Sequence, residues 1–261
     1  MKIFKWIYPS TWHYGIEPLC NLNDSGFTEP ILYDFSNLAE LLQEPIFLSI
    51  MNSFWDKFQY IEVYHASKPD DPQIIHQQGL LLRDHLYLLK KFRDLFINDV
   101  HKINENDLEN SLQLMDTKTE ENCINVVIDY RHIIEMANHY LIFGSEFIQG
   151  LVIHLPNFRD ELIDVLLERG IPTLFKIHLP LSYLTNKDKA YLFQKIISEF
   201  KEVKNNNYSR SCYSFHTFTF EREIPYNYIV SHFHPNNIVN SHFSNYGPRI
   251  FKSKKRCEMC N

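Results

Sequence analysis

Val63-Tyr-His-Ala-Ser-Lys-Pro69, followed by Ile74-Ile75 and Gln78-Gly79-Leu80, is the stretch from which the fold is read. Over 59–65 the chain sets Ile61, Val63 and His65 against Tyr60, Glu62 and Tyr64, the two-residue alternation of a strand. Asp71-Pro72 then opens a short helix, and Gly79 stands where a glycine closes one. The unit is therefore a strand ending in Tyr-His, a small pair, and a helix stopped by Gly-Leu.

Upstream, residues 1–35 are punctuated by Pro9, Gly15, Pro18, Gly26 and Pro30 and read as irregular. From Ser36, a candidate N-cap, apolar residues recur at helical spacing to Phe54, with Pro45 expected to break or kink the helix. Downstream, 86–97 is a strongly amphipathic helix, and the polar, weakly helical stretch that follows, to about 122, reads as an insertion or lid. Strands are expected at 123–128, 173–179 and, as a long alternating run, 211–223. Helices are expected at 131–138, 146–155, 159–169 and 187–200, with Gly170-Ile-Pro172 ending the third of these. The elements interleave without a βαβ period, which predicts an α+β fold: an N-terminal extension at 1–58, a core at 59–235 and a tail at 236–261.

Composition excludes several function classes. Only 7 of 261 residues are glycine, and neither G-x-G-x-x-G nor G-x-x-x-x-G-K-[ST] occurs, so a Rossmann turn or a P-loop is unsupported. A formal charge of −6 argues against general nucleic-acid binding. The basic segment Arg249-Ile-Phe-Lys-Ser-Lys-Lys-Arg256 reads first as a solvated terminus and second as a nucleic-acid or acidic-surface contact. Five scattered cysteines, at 20, 123, 212, 257 and 260, suit a reducing compartment, and no apolar run is long enough for a membrane span. The expected location is cytoplasmic.

Tyr64-His65-Ala66-Ser67 with the helix closing at Gly79-Leu80 resembles the first motif of the ADP-ribosyltransferases, in the branch of diphtheria toxin and the poly-ADP-ribose polymerases. That motif is written Tyr-His-Gly-Thr, so Ala66 is a departure. His139-Tyr-Leu-Ile-Phe-Gly-Ser-Glu-Phe147 is similar to the family's second motif, an aromatic near a small-residue turn, with Ser145 also readable as a plain N-cap for a helix from Glu146. Phe215-His-Thr-Phe-Thr-Phe-Glu-Arg-Glu-Ile-Pro225 resembles the last core strand, which carries the catalytic acid. The family's acid lies about seven residues before Ile-Pro, where this chain has Thr217 beside His216, so Glu221 ranks first and His216 second.

The resemblance implies a split β-sheet core and an NAD-consuming transferase. His65 would hold a ribose hydroxyl, Tyr140 would stack the nicotinamide, and Glu221 would stabilise the ribosyl cation; the alternative for His65 is a buried histidine satisfied by a backbone carbonyl. Tyr64, Ala66, Ser67, Phe143, Ser145 and His216 would complete the NAD site. A macromolecular acceptor, a role as an intracellular toxin or defence effector, and an antitoxin-like or regulatory partner follow by analogy. The competing reading is a catalytically inactive interaction module with the same fold.

A separate constellation lies near the C-terminus: His232-Phe-His234, His242 and Cys257-Glu-Met-Cys260. Cys-x-x-Cys with His-x-His supplies zinc ligands, but a free tail is the favoured expectation, a redox pair is a third, and no metal ligand is assigned.

Overall fold

The computed structural model describes residues 2–20, 42–82, 85–97, 103–115, 122–155, 157–204, 216–240 and 249–260, without the side chains of 17–20 and 201–204. The stretch Tyr60–Ser67 forms β2, the central strand of the sheet. It pairs along its whole length with β4 (Thr173–Pro180), from Tyr60↔Pro180 to Ser67↔Thr173. Beyond β4 lies β6 (Ile229–Phe233), with a register irregularity between Lys176 and Ile177. On the other side come β3 (Ile124–Val127) and then β5 (Thr217–Phe220). The order is β5-β3-β2-β4-β6, antiparallel throughout, with β1 (Ile3–Phe4) added in parallel to the start of β2.

The second edge of β2 is shared out in a way that matters. β1 occupies Tyr60 and Ile61, β3 meets β2 in register only at Tyr64↔Val127, and past that point the two strands part. β3 continues pairing with β5 through Ile124↔Phe220. In the gap, His65 Nδ1 lies 2.9 Å from the Asn125 carbonyl oxygen, a side-chain bridge where a ladder bond would otherwise run.

Because β2 is central, both its faces are buried. Ile61 and Val63 join Phe175, Ile177, Phe218 and Phe220 on one face. Against this face pack α1 (His13–Cys20), α2 (Pro45–Trp55) and a long C-terminal helix, together with Phe4, Trp6 and Trp12. The N-terminal segment is thus part of the main core. On the other face Tyr64, Ala66, Val127 and Leu174 meet a helical layer. That layer contains α4 (His85–Phe96), α5 (Glu105–Leu114), α6 (Tyr130–Glu135), α7 (His139–Ile142), α8 (Glu146–Ile153) and α9 (Arg159–Glu168). The short α3 (Gln73–Gln78) follows β2 directly, and α10 (Asn186–Lys204) is the long helix of the first face.

Pro45 is the first helical position of α2, where its missing N–H costs nothing, and residues 42–44 before it are not helical, in keeping with the expected break at Pro45. Other expectations change. The proposed start of that helix at Ser36, with Leu38 and Leu41, lies outside the described residues. The polar stretch after α4 contains α5, closed at Asn104 by a capping box and seated by the buried Leu108 and by Ser111, whose hydroxyl donates to Leu151 O at 2.7 Å. The late strand is four residues long and turns at Glu221; residues 211–215 lie outside the described residues. Residues 249–260 are not a free tail: β8 (Ile250–Lys252) pairs with β7 (Asn237–Val239), and Ser253 and Cys257 are buried.

Candidate functional site

Where β2 and β3 part, a cleft of about 250 Å³ opens. Its walls come from the end of β2 (His65, Ala66, Ser67 and Lys68), the residues after α3 (Gly79 and Leu80), and β3 with the residue before it (Cys123, Ile124 and Asn125). The α7–α8 junction closes it with Tyr140, Phe143, Gly144, Ser145 and Glu146. Gly79 has φ +87°, and a Cβ there would meet the Ile224 oxygen at 2.4 Å. Only glycine allows the chain to turn out of α3 so close to Ile224, with which Leu80 forms a β-bridge.

Six of the residues singled out from the sequence meet in this cleft: His65, Ala66, Ser67, Tyr140, Phe143 and Ser145. Tyr140 donates its phenol hydrogen to Glu146 Oε2 at 2.7 Å, and His139 Nε2 stands 3.7 Å from Glu146 Oε1. Phe143 is only 2% exposed and belongs mainly to the helical core, so it floors the cleft and does not project into it. Ser145 N-caps α8, accepting from the Ile148 N–H at 3.4 Å, which aims the first turn of α8 at the opening.

Three residues lie elsewhere. Tyr64 is 1% exposed and donates to Glu62 Oε1 at 2.6 Å beneath the helical layer. Glu221 is exposed in the turn after β5 and is not among the cleft's lining residues. His216 stacks on Tyr191, ring centroids 4.6 Å apart, also away from the cleft, and burial pushes its imidazole down to about 4 with a contribution from Lys195.

The cleft also contains groups that the motifs did not indicate. Lys68 is buried and its Nζ donates to Ile142 O at 2.6 Å, Leu166 O at 2.7 Å and Leu167 O at 2.8 Å, closing the C-terminal ends of α7 and α9 together. Burial, with the nearby charge of Lys255, pushes its ammonium down to about 7. His85 stacks on Phe147 with centroids 4.4 Å apart, and both line the cleft with Lys91 and Arg169. Glu146 lies within the second motif, where its place in the first turn of α8 already accounts for an acidic residue; His85, Lys91 and Arg169 reach the cleft through tertiary packing and carry no local signal.

Comparison of the chain with protein-family models, with curated proteins and with solved structures finds no match. The site therefore rests on its own geometry. No helix among the described residues is long and apolar enough to cross a membrane.

Proposed function

We propose that the chain is an NAD-consuming ADP-ribosyltransferase that works in the cleft between β2 and β3. The observation that carries this reading is that His65 and Tyr140, distant in sequence and chosen for separate roles, line one opening at the parting of two sheet strands. A volume of about 250 Å³ suits a nucleoside-sized group, so the nicotinamide riboside half of the dinucleotide fits inside and the rest follows the rim. Lys91 and Arg169 line the cleft and supply positive charge for a diphosphate, which would have to compete with Asp70 for the Arg169 guanidinium it now holds at 3.3 Å.

In this reading the bond between nicotinamide N1 and ribose C1′ breaks, and its electron pair leaves with the ring. A carboxylate held beside the sugar stabilises the positive charge that develops on it. Glu146 is the carboxylate present beside Tyr140, so it takes that role ahead of Glu221. The acceptor's nucleophilic atom then bonds to C1′ and gives its proton to the same carboxylate. The macromolecular acceptor and the effector role come from the resemblance alone.

The placement of Glu221 outside the lining favours a second reading, an inactive interaction module. Nicotinamide release from NAD, followed by mass spectrometry with cell lysate as the acceptor source, separates the two. The enzyme reading expects release that is abolished by His65→Ala and by Glu146→Gln but not by Glu221→Gln. Absence of release from the wild-type chain would leave the interaction module.

A further inference from the structure

His232 and His234, two residues apart at the end of β6, share one face of an extended segment. Cys257 immediately precedes a single helical turn, Glu258–Cys260, whose last residue, Cys260, donates its N–H to Cys257 O at 3.0 Å. The ligand atoms of all four lie within 4.8 Å of one another. His232 Nε2 is 3.1 Å from Cys257 Sγ and 3.3 Å from Cys260 Sγ, and His234 Nε2 is 3.3 Å from Cys257 Sγ. With zinc–nitrogen and zinc–sulfur bonds of about 2.0 and 2.3 Å, the N···S edge of a tetrahedral site is about 3.6 Å, within about half an ångström of these contacts.

The outer nitrogens are engaged as well. His234 Nδ1 lies 3.0 Å from Pro172 O and 3.2 Å from Thr173 Oγ1. A carbonyl can only accept, so His234 carries its proton on Nδ1 and aims the Nε2 lone pair inward. His232 Nδ1 is 2.7 Å from His76 Nε2 in α3. Two thiolates balance a divalent ion, which removes the cost of burying net charge, and four protein ligands leave no open position for catalysis.

We infer that His232, His234, Cys257 and Cys260 form a closed zinc site that ties the segment 249–260 to β6 and braces the cleft wall through His76. The brace follows from position. His65 is paired across the sheet with Phe175, and Phe175 with His232, while the His76 ring lies 5.8 Å from that of Phe175. Ile75, beside His76 in α3, and Gly79 and Leu80, just past the end of that helix, line the cleft. The inference is independent of the NAD reading, because it uses no cleft chemistry.

The test uses the full chain purified reduced and without chelator. Zinc content is measured by mass spectrometry after gel filtration, and cobalt is exchanged into the site for its absorption spectrum. The expected result is one zinc per chain, with cobalt bands of a four-coordinate site bearing two thiolates. The Cys257→Ser, Cys260→Ser double variant should lose both signals, and His76→Ala should bind zinc about 10–100-fold more weakly in competition with a chelating dye. A folded, reduced wild-type chain without zinc or thiolate–cobalt bands would reduce the cluster to thiol–imidazole contacts and overturn the site. Undiminished zinc in the double variant would also overturn it, and unchanged affinity in His76→Ala would remove the brace. Should the double variant fail to fold, the wild-type cobalt spectrum still decides.

Discussion

The hydroxyl of Tyr140 is 2.7 Å from Glu146 Oε2, which links an aromatic ring and a carboxylate of the cleft in one hydrogen bond. The ring and the hydroxyl can be separated by substitution. Tyr140→Ala should weaken NAD binding by about 1–2 kcal/mol through loss of the stacking surface, and Tyr140→Phe should keep most of it. Titration calorimetry measures both. Equal losses in the two variants would assign the effect to the hydroxyl and remove the stacking role.

Glu62 predicts an acid transition. Its side chain is 1% exposed, with Tyr64 donating at 2.6 Å, His178 Nε2 at 3.1 Å and Lys5 Nζ at 3.3 Å. Burial alone would raise its carboxyl, but those hydrogen bonds, with the charges of Lys176 and Lys5, hold it at about 2 against an ordinary 4.5. The unfolded chain therefore binds the extra proton between these values, so stability is complete above pH 4.5 and falls as the pH drops towards 2. This difference between the folded and unfolded carboxyl is worth roughly 3 kcal/mol. Urea unfolding across this range should show a shallower decline in Glu62→Gln than in the wild type, and parallel declines would place the acid sensitivity elsewhere.

A second window lies higher. His216 is held neutral on Tyr191, with its folded value near 4 against 6.5 unfolded. Protons bind the unfolded chain first, so this contribution is intact above pH 6.5 and is lost as the pH falls from there towards 4. His216→Phe, which keeps a ring against Tyr191, should make the fall of the thermal midpoint between pH 6.5 and 4 shallower than in the wild type while leaving the Glu62 step in place. A wild-type midpoint that does not change over that interval would contradict it.

What the sequence made legible is what local pattern determines. β2 could be read from its alternation and β4 from its apolar run, and α8 from Ser145 and the residues behind it, because strand faces and N-caps are set within a few residues. Pro45 could be read as an interruption because proline both breaks a helix and suits the start of one, and the packing of Phe47, Met51 and Phe54 into the core seats the helix that begins there. The cleft was half legible. His65 and Tyr140 had motifs, but where Glu221 lies depends on the register Ile124↔Phe220 between β3 and β5, which no local signal encodes. The same holds for the His–Cys cluster: the spacing suggested ligands, yet their convergence depends on β7 and β8 folding the chain back onto β6.

Lys68 gives the last prediction, because it joins a motif to the packing that supports the site. It follows Ser67 directly, yet its ammonium is turned away from solvent and donates to Ile142, Leu166 and Leu167 carbonyl oxygens at 2.6–2.8 Å. Those oxygens belong to the last turns of α7 and α9, which have no other helical donor to meet them. Lys68→Met keeps the length of the stem and removes the donors, leaving three buried acceptors at the negative ends of two helices. The expected cost is on the order of 2–4 kcal/mol in urea unfolding. Lys68→Arg should not rescue it, because a planar guanidinium cannot replace three donors that radiate from one nitrogen. Because α7 carries Tyr140, amide exchange in 139–146 should accelerate in Lys68→Met ahead of global unfolding. Exchange that speeds up only with global unfolding would show that Lys68 stabilises the fold without specifically holding the cleft.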